Sequence, residues 1–142
     1  MRAGARRAAA AALVVVGLAA GTTGCAGPRA DTAGMGQASL QEEAAREALL
    51  RAARAMRAGR WIDAWTLLSA RWRAAATPGR LAADYQGAGP VAKESVDRVV
   101  ALLESGAPLG QVGPGRFELP VGPGRAARLV SEGGTWRVDS LE

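Results

Sequence analysis

The 142-residue chain has no histidine, a single cysteine, one phenylalanine, one tyrosine and one lysine. Each scarcity excludes something. Without histidine there is no imidazole to serve as general base or metal ligand, and one thiol forms neither an internal disulfide nor a zinc site of the Cys/His kind. The charge is also thinner than the net +5 suggests. Arg2, Arg6 and Arg7 lie in a segment that reads as removable, and taking those three from the 18 basic residues leaves 15 against 13 acidic, or +2. A scattered excess of that size is no nucleic-acid footprint, which needs a clustered basic patch. No cofactor or metal motif is present. The predominance of arginine over lysine, with abundant alanine and glycine, matches a biased genomic base composition better than a phosphate site.

Against these absences stands an ordered N-terminal pattern. Met1 to Arg7 is short and basic, and Ala8 to Ala20 is an uncharged Ala/Leu/Val run. That is the n-region and h-region of an export signal. At ~13 residues the run is short of the ~20 that a bilayer-spanning helix requires. Gly21-Thr22-Thr23-Gly24-Cys25 follows, with the only thiol where the apolar run meets a Gly/Pro-rich stretch.

This arrangement resembles a bacterial lipoprotein signal, in which small residues precede a cysteine that is diacylated and becomes the new N-terminus. Gly24 and Thr23 fit; Thr22 stands where that signal prefers an aliphatic residue. The resemblance implies a signal peptide over 1–24, lipid (palmitate-type) attachment at Cys25, and anchoring in the cell envelope. Ala26 rather than aspartate after the cysteine implies an outer-membrane address facing the periplasm. The alternatives are ordinary cleavage near Ala20 or Gly21, leaving a free thiol, and an uncleaved anchor.

Residues 25–38 show no hydrophobic period and several breakers, and predict a flexible tether of ~20 Å reach. A single domain is expected over 39–142. Ser39-Leu40-Gln41-Glu42 reads as a capping box that opens a helix. That helix carries Glu42/Arg46 and Glu47/Arg51 pairs, buries Ala45, Leu49, Ala52, Ala53 and Met56, and stops at Gly59. A second helix is predicted from about Arg60, with Trp61, Trp65, Leu68 and Trp72 at helical spacing on one face. Those indoles line either a core or a cavity for an apolar or sugar-like ligand. Thr77-Pro78 opens a short helix ending near Gly87. Gly89-Pro90 opens another, striped with Ala92, Val96, Val99, Val100 and Leu103 and closed by Gly106.

From Phe117 the period becomes two. Phe117, Leu119 and Val121 alternate with polar residues, and Pro120 marks an edge or a strand end. Strands are predicted at 125–131 and 135–141, joined by a tight hairpin at Gly133-Gly134. Val-Gly-Pro-Gly-Arg, at 112–116 and again at 121–125, reads as a pair of turns, because neither copy leads into a helix or ends in Gly-Lys-Ser/Thr. The predicted class is α+β, with N-terminal helices packed on a short antiparallel C-terminal sheet of three or four strands.

Two segments, Gly59 to Ser69 and the closing run Leu129 to Asp139, resemble small exported members of the nuclear transport factor 2-like (cystatin-like) family. The resemblance implies a reduced form of that roll, with a pocket between helices and sheet, and pairing of two copies through the sheet's outer face. Trp61, Trp65, Leu68, Trp72, Tyr85 and Trp136 are the candidate lining of the pocket or core. Helix, Gly-Arg-Trp, helix is also similar to one tetratricopeptide unit, but a solenoid needs about three repeats and one is visible.

The expected function is a lipid-anchored, non-catalytic binding or accessory module, with an envelope protein or a small apolar ligand as partner. The alternative is a small hydrolase or isomerase of the same roll, using Asp63 or Asp139 with Tyr85. Asp84 is a weaker partner for Tyr85, because neighbours on a helix point ~100° apart.

Overall fold

A computed structural model describes residues 31–141. The signal segment and Cys25 lie outside the described residues. The order of elements is α1 (Asp31–Arg57), α2 (Trp61–Thr66), α3 (Ala70–Ala75), α4 (Pro78–Glu104), β1 (Gly110–Gly113), β2 (Arg116–Gly122), β3 (Arg125–Glu132) and β4 (Thr135–Leu141). The four strands form an antiparallel meander in sequence order, and the helices pack against it, so the class is α+β as predicted.

Helix α1 is described from Asp31, eight residues before the predicted opening. Ser39 is therefore interior, donating from Oγ to the Gly36 carbonyl at 2.9 Å. The predicted capping box is not used, and part of the expected coil tether is helix. Once the later turns are fixed, each added residue gains a hydrogen bond without a new nucleus. Ala45, Leu49, Ala52, Ala53 and Met56 are buried, as the stripe predicted, and Ala48 joins them. The helix ends in a Schellman motif: the Arg60 N–H donates to Ala55 O at 2.9 Å, and Gly59 N–H to Met56 O at 3.0 Å. Gly59 sits at φ 69°, where a side chain would be strained. Gly106 closes α4 in the same way, with Ala107 N–H on Leu102 O.

The predicted second helix is broken in two. Between α2 and α3, Leu68 pairs in parallel with Val138, with Ser69 N–H donating to Val138 O at 2.8 Å and Val138 N–H to Leu67 O at 2.9 Å. The outer edge of β4 offers free amide and carbonyl groups there, and pairing them satisfies both sides. Trp61 and Trp65 thus stay on α2 while Trp72 falls on α3, and the three do not form one helical face.

Helix α4 is two helices joined across a kink. Thr77 Oγ1 accepts from Arg80 N–H at 3.2 Å and Pro78 follows, as the sequence predicted. The backbone leaves the helical region at Gly89 (φ 58°, ψ −133°), just before Pro90. Beyond the kink Val96, Val99, Val100 and Leu103 are buried against α1 and the sheet. Ion pairs and side-chain bonds lock α1 to the end of α4. Arg54 meets Glu104 at 2.8 Å, Arg46 Nη2 donates to Ala107 O at 2.6 Å, and Glu42 Oε1 accepts from Leu109 N–H at 3.1 Å.

Within the sheet Phe117, Leu119, Leu129, Trp136 and Val138 face the helices. Pro120 lies near the end of β2, past the last residue that β1 pairs, so its missing N–H costs the β1–β2 ladder no bond. Both Val-Gly-Pro-Gly-Arg copies are turns between antiparallel strands, and Gly133-Gly134 is a two-residue hairpin loop with positive φ at both positions. The strand register slips once between β3 and β4. Leu129 faces Val138 and Arg128 faces Ser140, leaving Asp139 as the extra residue of a bulge.

Candidate functional site

The kink in α4 creates the site. Leu81, Tyr85 and Ala88 before Gly89, and Val91, Ala92, Ser95 and Val96 after it, form one wall of a cleft of about 410 Å³. Leu68, Trp72 and Ala76 from the α2–α3 region and Val138 to Leu141 at the end of β4 form the other, with Met56 from α1 and Arg125 from β3 completing it. The lining is mostly apolar. A smaller hollow of about 50 Å³ adjoins it through Val91, Ser95 and Arg125, and is also bordered by Glu94, Arg98 and Val121.

Of the six residues singled out from the sequence, three meet at the cleft: Leu68, Trp72 and Tyr85. Trp72 is 36% exposed at the rim; its Nε1 donates to the Asp139 carbonyl, and the Arg71 guanidinium lies 5.6 Å over the ring. Tyr85 is half-buried and rests on Trp61, ring centroids 5.1 Å apart. Trp61 thus backs the wall without lining it. Trp65 clips α2 to the residue that follows α3, donating from Nε1 to Ala76 O at 2.6 Å. Trp136, 7% exposed, packs on Phe117 with centroids 5.1 Å apart and belongs to the core. The two accounts of the indoles each hold for part of the set. Cys25 lies outside the described residues.

Among the candidate carboxylates, Asp63 is exposed, pairs with Arg60 at 3.5 Å and does not line the cleft. Asp84 reaches the rim but is bound by Arg80 Nε at 2.8 and 3.0 Å. Asp139 is placed at the cleft by the bulge and ties three elements together. Its carboxylate accepts from the Ser69 hydroxyl at 2.6 Å and from Arg71 Nε and Nη2 at 3.3 and 3.2 Å. Ser69 itself is 1% exposed. Partial burial pushes the Asp139 pKa upward, but the hydrogen bonds from Ser69 and Arg71 and the charges of Arg71 and Arg116 outweigh it. The net result lies below the usual carboxylate range. A carboxylate so engaged is a weak proton acceptor, although it and Tyr85 share the cleft as the alternative reading requires. Burial, helped by the negative charge of Asp97, raises the Tyr85 phenol above its ordinary value and keeps it a neutral donor.

The sequence reading missed Met56, Leu81, Val96 and the end of β4 as lining residues, and took Arg125 as part of a turn. Val96 did announce itself, but as core, and it serves both roles. Among the described residues, no group of three or more His, Cys, Asp or Glu side chains is placed to hold a metal ion, and no helix is long and apolar enough to cross a membrane. The sheet's outer face carries Arg116, Arg128 and Arg137, with Glu118 bound to Arg128 at 3.3 Å. Comparison of the chain with protein-family models, curated proteins and solved structures gives no match.

Proposed function

We propose that this chain is a lipid-anchored protein of the cell envelope whose domain is a non-catalytic binding module, holding a small apolar ligand in the cleft beneath α4. The observation that carries this reading is the cleft itself: about 410 Å³, mostly apolar, and within the ~300–1,000 Å³ range of small-molecule sites. The commitment of Asp84 and Asp139 to arginine partners supports binding over catalysis, since neither carboxylate is poised to take a proton. The order helices, then antiparallel meander, with a hollow between them, is in keeping with a reduced nuclear transport factor 2-like roll. The export signal and Cys25 support an outer-membrane address facing the periplasm. The outer face of the sheet is a poorer surface for pairing two copies, because it would bring Arg116, Arg128 and Arg137 together.

Two measurements test this. Full-length protein in phosphatidylcholine nanodiscs is titrated with N-phenylnaphthylamine, whose emission rises in apolar surroundings. We expect enhancement above protein-free nanodiscs, and its loss in Ala92→Phe, which places a ring in the cleft. Equal emission from both proteins overturns the binding reading. Metabolic labelling with palmitate should mark the wild-type chain and not Cys25→Ala; label retained in that variant overturns the anchor.

A further inference from the structure

Resting on the cleft as a ligand site, we propose that its occupant is a linear amphiphile with an anionic head, an acyl chain ending in a carboxylate or phosphate, and that Arg125 receives the head. Among the described residues, three charged side chains reach the cleft. Two are carboxylates already neutralised by their own arginines: Asp84 by Arg80 at 2.8 Å and Asp139 by Arg71 at 3.2 Å. The third is Arg125, the one cation that lines the cleft among the described residues. Its only side-chain partner among the described residues is neutral, the Ser95 hydroxyl, which accepts from Nη2 at 2.9 Å.

The neighbouring charges do not fill the gap. Glu94, which borders the adjoining hollow with Arg125, is bound to Arg98 at 2.9 Å, and Arg98 also donates to Val121 O at 3.3 Å. Ser95 braces the Arg125 guanidinium between cleft and hollow, leaving its other N–H groups for an acceptor. A guanidinium presents five donors in a planar fork that suits a carboxylate or phosphate.

The remainder of the cleft dictates the other end of the ligand. The walls are mostly apolar, Met56, Leu68, Leu81, Val96 and Val138 among them, with Tyr85 and Ser140 as uncharged polar groups. A polar ligand body would leave its groups unpaired against the apolar side chains. Charge complementarity at one end and an apolar path at the other describe one chemical type, a single chain with one acidic terminus. A cationic amphiphile would meet an arginine.

The test compares dodecanoate with dodecanol, equal in chain and different in charge, binding to the full-length protein in phosphatidylcholine nanodiscs, with protein-free nanodiscs as reference. We expect dodecanoate to bind about tenfold tighter than dodecanol, and Arg125→Gln to remove that advantage. Arg128→Gln, the same charge change on the outer face of the same strand, should alter neither. If dodecanoate and dodecanol bind alike, or Arg125→Gln is without effect, the anionic head is overturned while the apolar cleft stands. If neither ligand binds, both readings fail together. Where the tenfold preference is found, displacement of dodecanoate by phosphatidylglycerol nanodiscs assigns the head to a membrane lipid. Its persistence assigns it to a free acid.

Discussion

Gly87 and Gly89 are two residues apart in α4, and alanine at the two positions should act in opposite directions. At Gly87 the backbone is helical and nothing lies within 4 Å of an added methyl group. Alanine there gains helix propensity and should stabilise by ~0.5–1 kcal/mol. At Gly89 there is equally nothing within 4 Å, so packing contributes no penalty. The backbone, however, sits at φ 58° and ψ −133°, which an L-residue adopts only under strain. A residue held in such a region costs ~1–3 kcal/mol, partly offset by ~0.4–1 kcal/mol of reduced freedom in the unfolded chain. The net is a loss of about 1–2 kcal/mol. For about 110 ordered residues the unfolding entropy is ~0.23 kcal/mol per degree, so Gly89→Ala should melt ~4–9 °C lower and Gly87→Ala ~2–4 °C higher than the parent. Thermal melts followed by far-UV circular dichroism, on full-length protein in nanodiscs, separate the two. If Gly89→Ala raises the melting temperature as Gly87→Ala does, α4 is one unbroken helix and the origin given for the cleft is wrong.

Trp136→Ala should cost ~3–5 kcal/mol, because the ring fills the core against Phe117, whereas Trp72→Ala at the rim should cost about 1–2 kcal/mol; denaturant melts that rank them the other way would refute the division of the indoles. Tyr85 is the only tyrosine, so an ultraviolet titration reads it directly. Burial and Asp97 place its midpoint above ~10, and Asp97→Asn should bring it part of the way down. Its neutral form is the one the fold favours, so the associated stability is complete below the unfolded value and falls away as pH rises through the folded one. Asp139 behaves in the opposite sense. Its lowered pKa gives stability present above ~4 and lost as pH falls through the folded value, so Asp139→Asn should flatten the acid limb of a stability profile. An unchanged limb would mean that Ser69 and Arg71 do not favour the ionised form.

What could be read from the chain was whatever local chemistry decides. Gly59 and Gly106 end helices because only a left-handed residue closes those caps, and Thr77-Pro78 starts one because its hydroxyl and its missing N–H suit a first turn. The turns at Pro114-Gly115 and Pro123-Gly124 and the Gly133-Gly134 hairpin are equally local. Where a distant partner decides, the pattern misled. Leu68 and Ser69 have helical spacing from Trp61 and Trp65, but the open edge of β4 takes them as a bridge, and that preference is written in residues seventy positions away. The start of α1 was hidden because Ser39 and Glu42 form a valid cap sequence whose glutamate is instead bound to Leu109. The cleft was half legible. Trp72, Tyr85 and Leu68 stood out by size and spacing and Asp139 as a candidate base, while the bulge that brings Asp139 to the site and the strand start that carries Arg125 have no periodic signature.

The early start of α1 alters what the leading part of the domain can transmit. The first core residue on that helix is Ala45, fourteen positions after Asp31, and Gly36 to Gln41 are exposed. At 1.5 Å per residue this is a rod ~21 Å long in place of a random coil of similar span. A coil would let the body turn freely relative to Asp31, but a rod fixes that relation. Inserting two residues near Gly36 should swing the cleft through ~200° about the helix axis, whereas inserting seven should lift it by ~10 Å and keep nearly the same heading. Which way the mouth of the cleft points relative to the first described turn of α1 is thereby set by counting residues.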